Sequence, residues 1–244
     1  MSSIAAYTKQ GAMLIHYPHD RRGHSRLSWL DSHHTFSFAE FYDPERLGVS
    51  ALRVVNEDVV APGGGFGLHP HRDMEILTYV ISGVLEHRDS IGSVGRIRAG
   101  EVQRMSAGTG IQHSEYNASK AAPVHFLQIW IKPARNGLPP SYEEASVPAG
   151  EGLQWLAAGE PGAAPLRVHQ DVRVGRVTGD GERVLPLPAG RVGFLQMISG
   201  EAHHDGQHIG AGDGAVVYDR ADPRWRFSAG SEALWFDLPP LAKH

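Results

Sequence analysis

Residues 68–83 read LHPHRDMEILTYVISG and residues 185–200 read LPLPAGRVGFLQMISG; the two align without a gap, from a leading Leu to a closing Ile-Ser-Gly. Further along each copy, Arg98-Ala-Gly-Glu101 answers Gly210-Ala-Gly-Asp213. Each half therefore presents two strands, an Ile-Ser-Gly turn, a hairpin, and an Ala-Gly-acid turn into the next strand. One order of elements met twice marks a duplicated unit, here two copies of one β-barrel. The runs between Gly and Pro are short and β-rich, as in ILTYVI (76–81), VHFLQIWI (124–131) and VGFLQMI (192–198). Such runs argue for sandwiches or barrels rather than βαβ units. Helical signals are sparse, a weak one at Thr8–Ile15 and a turn or capped start at Ser141-Tyr-Glu-Glu144. The expected class is all-β, two tandem barrels with a few short helices. The expected division is residues 1–135, a Gly-, Pro- and Ala-rich crossover at 136–165, and residues 166–244, with N-terminal strands able to swap onto the second barrel.

Composition narrows the function. With 244 residues and 41% hydrophobic content the chain can build a real core. A formal net charge of −4 gives no basic face for nucleic acid. There is no cysteine, so disulfides, thiolate metal sites and Cys nucleophiles are excluded, and a metal must be held by His and carboxylate. No apolar run approaches the roughly 18 residues of a membrane span, and the first residues do not pattern as a signal peptide. A cytoplasmic protein is expected.

Side chains alternate faces along a strand, so residues i and i+2 point the same way. His69-Pro-His71 aims two imidazoles at one side, and His113-Ser-Glu115 aims an imidazole and a carboxylate. If both strands line one barrel, the four donors converge. Nitrogen and oxygen donors suit Fe(II), Mn, Ni, Cu or Zn, and four protein ligands leave room on the ion for substrate or dioxygen. In the repeat, His69 and His71 fall opposite Pro186 and Pro188, and His113 and Glu115 fall opposite Trp225 and Phe227. Only the first barrel is expected to hold metal in this way. His33, His34 and His125 are read as hydrogen-bonding or packing residues, and His203, His204 and His208 as the solvated edge of a hairpin. Arg72, Asp73 and Glu75 suit salt bridges or support around the site. Phe36, Phe38, Phe66 and Met74 suit either a pocket for a flat aromatic molecule or the core.

The spacings Gly63-x5-His69-x-His71-x3-Glu75-x7-Gly83 and Gly100-x5-Ser106-x-Gly108-x4-His113-x3-Asn117 resemble the two cupin motifs. The first has one extra residue before its last glycine; the second has Ser for Pro and two extra residues before its His. Those departures are typical of the pirin family. Further segments resemble pirins: HTFSFAEFYDP (34–44), HPHRDME (69–75), EHRDS (86–90), SAGTGIQHSE (106–115) and QIWIKP (128–133). The resemblance covers essentially the whole chain and is strongest to the bacterial quercetinase type.

That resemblance implies a bicupin of two jelly-roll barrels, with one divalent metal in the first. Fe(II) stands first, with Zn, Ni, Mn, Cu and Co as alternatives. His69, His71, His113 and Glu115 are the implied ligands, and Glu75 lies outside the ligand set. The implied activity is flavonol (quercetin) 2,3-dioxygenation, with Glu115 as the catalytic base, a flavonol and O2 as substrates, and a monomer as the expected state. Two other readings stand beside it: a metal-binding regulatory pirin that acts through a protein partner, and a cupin oxygenase for another small molecule.

Overall fold

A strand whose residues are buried on both faces must be covered on both sides. The computed structural model, which describes residues 13–241, shows what covers Glu75–Ser82. Ile76 and Val80 face the interior of the first half, whereas Leu77 and Tyr79 face the second half. The neighbouring strand Val124–Ile131 divides in the same way, with Phe126 inward and Leu127, Ile129 and Ile131 outward. Phe194, Val216, Leu234 and Phe236 come to meet them from the other side. The two halves thus pack back to back, and the seam between them is itself a hydrophobic core.

The first half is a jelly-roll sandwich. Its larger sheet runs, in spatial order, Ser141–Ser146, Glu101–Ser106, Glu75–Ser82, Val124–Ile131, Leu52–Val60, Leu30–His34 and Gly23–Arg26. The facing sheet runs Gly65–His71, Ile111–Asn117, Val84–Asp89 and Val94–Arg98. The second half is built on one sheet that contains Gly214–Tyr218, Val192–Ser199 and the long strand Arg224–Leu238. Met13–Tyr17 pairs with Gly214–Tyr218, so the N-terminal strand lies on the second half. Within residues 136–165, Ser141–Ser146 extends the first half and Gly152–Ala158 joins the second, so the passage between sheets is the short stretch separating those strands. The helix start or turn expected at Ser141 is instead an edge strand, because pairing with Glu101–Ser106 overrides a local capping signal. Of the weak helix at Thr8–Ile15, residues 8–12 lie outside the described residues and the rest begins a strand. Among the described residues the one helical turn is His19–Arg21, and no helix is long and apolar enough to cross a membrane.

The duplication is physical. The N–H of Gly100 donates to Val80 at 2.9 Å and that of Gly212 donates to Met197 at 3.1 Å, the same bond at equivalent positions of the two copies. Gly83 and Gly200 close their strands with φ of +83° and +69°, a region that favours glycine. A Cβ would stand 2.7 Å from the Pro123 carbonyl at the first and 2.4 Å from Ser231 Oγ at the second.

One detail of the repeat needs correction. Where His69 stands opposite His113 in the first half, Arg183 stands opposite Trp225 in the second; Pro186 and Pro188 lie exposed beyond the end of that strand, while Leu185 and Leu187 are buried. Proline has no N–H for a sheet ladder, so this segment leaves regular strand geometry and turns its leucines in. Leu185, Leu187, Trp225 and Phe227 then pack in one apolar cluster. The second half fills with hydrocarbon the space that the first half gives to polar donors. Trp225→Ala should therefore cost about 3–5 kcal/mol in urea unfolding while leaving metal stoichiometry unchanged; a near-neutral effect would mean this cluster is not the core of the second half.

Candidate metal centre

The strand Ile111–Asn117 is the spine of the site. Its residues alternate buried and less buried, which puts Ile111, His113, Glu115 and Asn117 on the inner face. It pairs on one side with Gly65–His71, where His69 stands directly opposite His113, and on the other with Val84–Asp89, where His87 stands opposite Glu115. Alternation and register together bring the imidazoles of His69, His71 and His113 against one another, with ring centres 4.4–4.9 Å apart. One nitrogen from each ring lies within 4.8 Å of the others.

The chemistry of these rings suits a metal. His69 Nδ1 is 2.7 Å from the Gly67 carbonyl, so its N–H is used there and Nε2 is left with a lone pair. His113 Nε2 is buried without a hydrogen-bond partner, an arrangement that is costly unless something is bound there. Burial, then the neighbouring imidazoles, hold His71 down to about 4 and His113 down to about 3. Both rings are therefore neutral at physiological pH, as ligation requires. Three imidazole nitrogens with a carboxylate beside them fit one divalent transition ion.

Glu115 is placed by the opposite sheet. A polar row crosses the inner face of the large sheet in register: His34 opposite Asn56, Asn56 opposite Gln128, Gln128 opposite Thr78, and Thr78 opposite Gln103. All five are buried. Gln103 Nε2 donates to Glu115 Oε1 at 2.7 Å, Gln128 Nε2 to Oε2 at 2.8 Å, and the Thr78 hydroxyl lies 3.3 Å from Oε1. These donors offset the desolvation of a carboxylate with 2% exposure. Glu115 shares a close donor set with His113 and His87 rather than with His69 and His71. The four residues named from sequence thus line one cavity, with the three imidazoles converging and the carboxylate held to the side of His113.

That cavity is about 520 Å³, within the usual range for small-molecule sites. Its walls are aromatic: Trp29 meets Phe66 edge to face at 5.1 Å, and Phe38 meets Trp130 at 5.5 Å. Phe38 and Phe66 therefore belong to the pocket, whereas Phe36 belongs to the core and Met74 packs beside Ile76 and Met105. A second carboxyl, Asp58, sits in the wall with Ser32 donating to it, and burial pushes it up to about 7.

The remaining polar residues are used elsewhere. Glu75 accepts from Ser106 at 2.8 Å and from the His169 backbone at 3.1 Å, tying the two halves together. Asp73 accepts from the Gly137 N–H. His125 pairs with Glu57, His33 with Asp31, and His34 with Ser25. His203 and His208 are exposed around Glu201, but His204 is buried, stacked on Trp225 at 4.7 Å with Nδ1 on the Arg224 carbonyl. The surface expectation for that residue fails because strand alternation turns it inward. Residues that the motifs did not single out are His87, Asp89, Thr78, Gln103, Gln128 and Tyr142. The pair His87-x-Asp89 carries the same i, i+2 signal as His69-x-His71.

Two jelly-roll halves in one chain, with imidazoles on paired strands of the first, define a protein of two cupin domains. Family comparison agrees. Residues 17–131 match the pirin family model and residues 155–238 match the model described as the quercetinase C-terminal cupin domain. The chain belongs to the pirin family. It is 45% identical over 224 residues to a quercetin 2,3-dioxygenase of Escherichia coli K12, covering 91% of this chain and 97% of that one. A pirin-like protein of Caulobacter vibrioides is 40% identical over 86% of this chain and 92% of its own length. The crystal structure of the bacterial pirin YhhW from Escherichia coli in complex with nickel(II) superposes with a TM-score of 0.90 at 44% identity, covering 94% of this chain and 100% of that one.

His69→Ala and His113→Ala should each abolish stoichiometric binding of Ni(II), measured by elemental analysis after desalting. His203→Ala and His208→Ala should leave it intact; loss of metal in those variants would move the centre to the second half.

Proposed function

We propose that this chain is a metal-dependent flavonol 2,3-dioxygenase of the quercetinase type, with iron as the metal in the cell. The observation that carries the reading is the shared cavity: neutral imidazoles and the Glu115 carboxylate at its polar end, aromatic walls elsewhere. Relatives named quercetin 2,3-dioxygenase at 45% identity over nearly the full length support it.

In this reading His69, His71 and His113 hold the ion, and Glu115 stands beside them as a fourth donor and as the base. A bound divalent metal supplies Lewis acidity toward the flavonol 3-hydroxyl and a place for dioxygen. Trp29, Phe66, Phe38 and Trp130 grip the flat rings and keep water out. Glu115 accepts the 3-hydroxyl proton, leaving an electron-rich flavonolate. Gln103, Gln128 and Thr78 fix the carboxylate so that its oxygens face the proton they take. In the overall reaction both atoms of O2 enter the ring-opened product and one ring carbon leaves as carbon monoxide.

The test is oxygen uptake and carbon monoxide release by the metal-loaded protein with a panel of flavonols. Stoichiometric release is expected. A loaded protein inert toward every flavonol would favour the partner-binding role instead. Glu115→Gln should keep metal and lower turnover by roughly 100-fold or more; unchanged turnover would remove Glu115 as the base.

A further inference from the structure

His87 is fully buried and touches the metal centre without facing the cavity. Its Nε2 lies 3.0 Å from Asp89 Oδ2, and neither side chain has any solvent exposure. The other carboxylate oxygen, Oδ1, accepts the backbone N–H groups of Ile91 at 3.0 Å and Ser93 at 2.9 Å. The hairpin turn therefore locks the carboxylate in rotation. On the far side of the ring, His87 Nδ1 lies 3.4 Å from His113 Nδ1. Tyr142 stacks on His87 at 4.4 Å and 15°, which fixes the plane of the ring.

A carboxylate only accepts hydrogen bonds, so His87 donates through Nε2–H and, as a neutral ring, keeps a lone pair on Nδ1. Two nitrogens in hydrogen-bond contact share one proton between them, so that lone pair requires an N–H on His113 Nδ1. The proton of neutral His113 is then used, and its Nε2, the buried atom without a protein partner, carries a free lone pair. We infer that Asp89 and His87 form a relay that fixes His113 in the tautomer able to bind a metal. Both are positioning residues. The inference rests on the reading of His113 as a ligand, and it extends that reading to a chain that begins in the turn after Val84–Asp89.

The relay predicts an unusual response to Asp89→Asn. The Asn oxygen keeps the two turn N–H groups, so its amide N–H₂ faces His87 and reverses the sense of donation. His87 must then carry its proton on Nδ1 and donate to His113, whose own proton moves to Nε2, where the metal binds. Long-range ¹H–¹⁵N correlation spectra of the metal-free protein read these tautomers directly. The native protein should show His87 as Nε2–H and His113 as Nδ1–H, and Asp89→Asn should show both reversed. Ni(II) titration should give affinity lowered about 10- to 100-fold in Asp89→Asn and in His87→Phe, which keeps the stacking but has no acceptor. His87→Asn, which restores an acceptor near the Nδ1 position, should recover most of it.

A native His113 protonated on Nε2, or Ni(II) affinity within twofold of native in both Asp89→Asn and His87→Phe, would overturn the relay. His113→Ala separates the two levels of the argument. If it abolishes binding while the other variants bind normally, the relay fails and the metal centre stands; if it binds normally, the metal centre itself fails. Should His87→Phe not fold, the native spectrum alone decides the point.

Discussion

The register of a single antiparallel pair carries this molecule. Because His69 stands opposite His113 between Gly65–His71 and Ile111–Asn117, three rings meet in the interior instead of dispersing over two faces. A slip of one residue would turn each inward donor outward. Several features hold the register. The spine strand is paired on both edges, Asn117 bonds the carbonyls of Val60 and Ala122, and Glu115 is gripped from the opposite sheet by Gln103, Gln128 and Thr78. The polar row that grips Glu115 lies on the inner face of the larger sheet, away from solvent. Buried polar groups of this kind are tolerated only when their partners are present, and here a single carboxylate is the partner for three strands.

The two halves show what one architecture does under two demands. In the second, Leu185, Leu187, Trp225 and Phe227 close the interior with apolar contact. In the first, the equivalent space holds imidazoles, a carboxylate and a cavity. An open cavity contributes less to stability than a packed core does. The core at the seam, to which both halves contribute large side chains such as Tyr79, Phe194 and Phe236, offsets that deficit. Stability and chemistry are in this sense divided between the copies, and the seam joins them.

Much of this could be read from the chain before any coordinates. The Ile-Ser-Gly repeat marked the duplication, and the alternation in HPH and HSE marked four side chains that line one cavity, because both signals are local and depend only on strand period. Other features were not local. Thr78, Gln103 and Gln128 sit in runs that read as ordinary strands, and only the pairing of Glu75–Ser82 with Glu101–Ser106 and Val124–Ile131 aligns them. The match of His69 and His71 with Pro186 and Pro188 fails because the second half has a longer connection between the two strands, which a gapless match of residues does not show: Arg183, not a proline, stands opposite Trp225. His204 is buried because alternation in its strand turns it inward onto Trp225 of the paired strand, a contact that its polar neighbours do not report. His87 and Asp89 obeyed the same i, i+2 rule as the donors, but the rule alone did not say that their face adjoins His113.

The most direct test of the central claim is anomalous diffraction at the nickel edge from crystals of the Ni(II)-loaded protein. One peak is expected, in the first half, within bonding distance of Nε2 of His69, His71 and His113. A peak between His203, His208 and Glu201, or none near His113, would contradict the account.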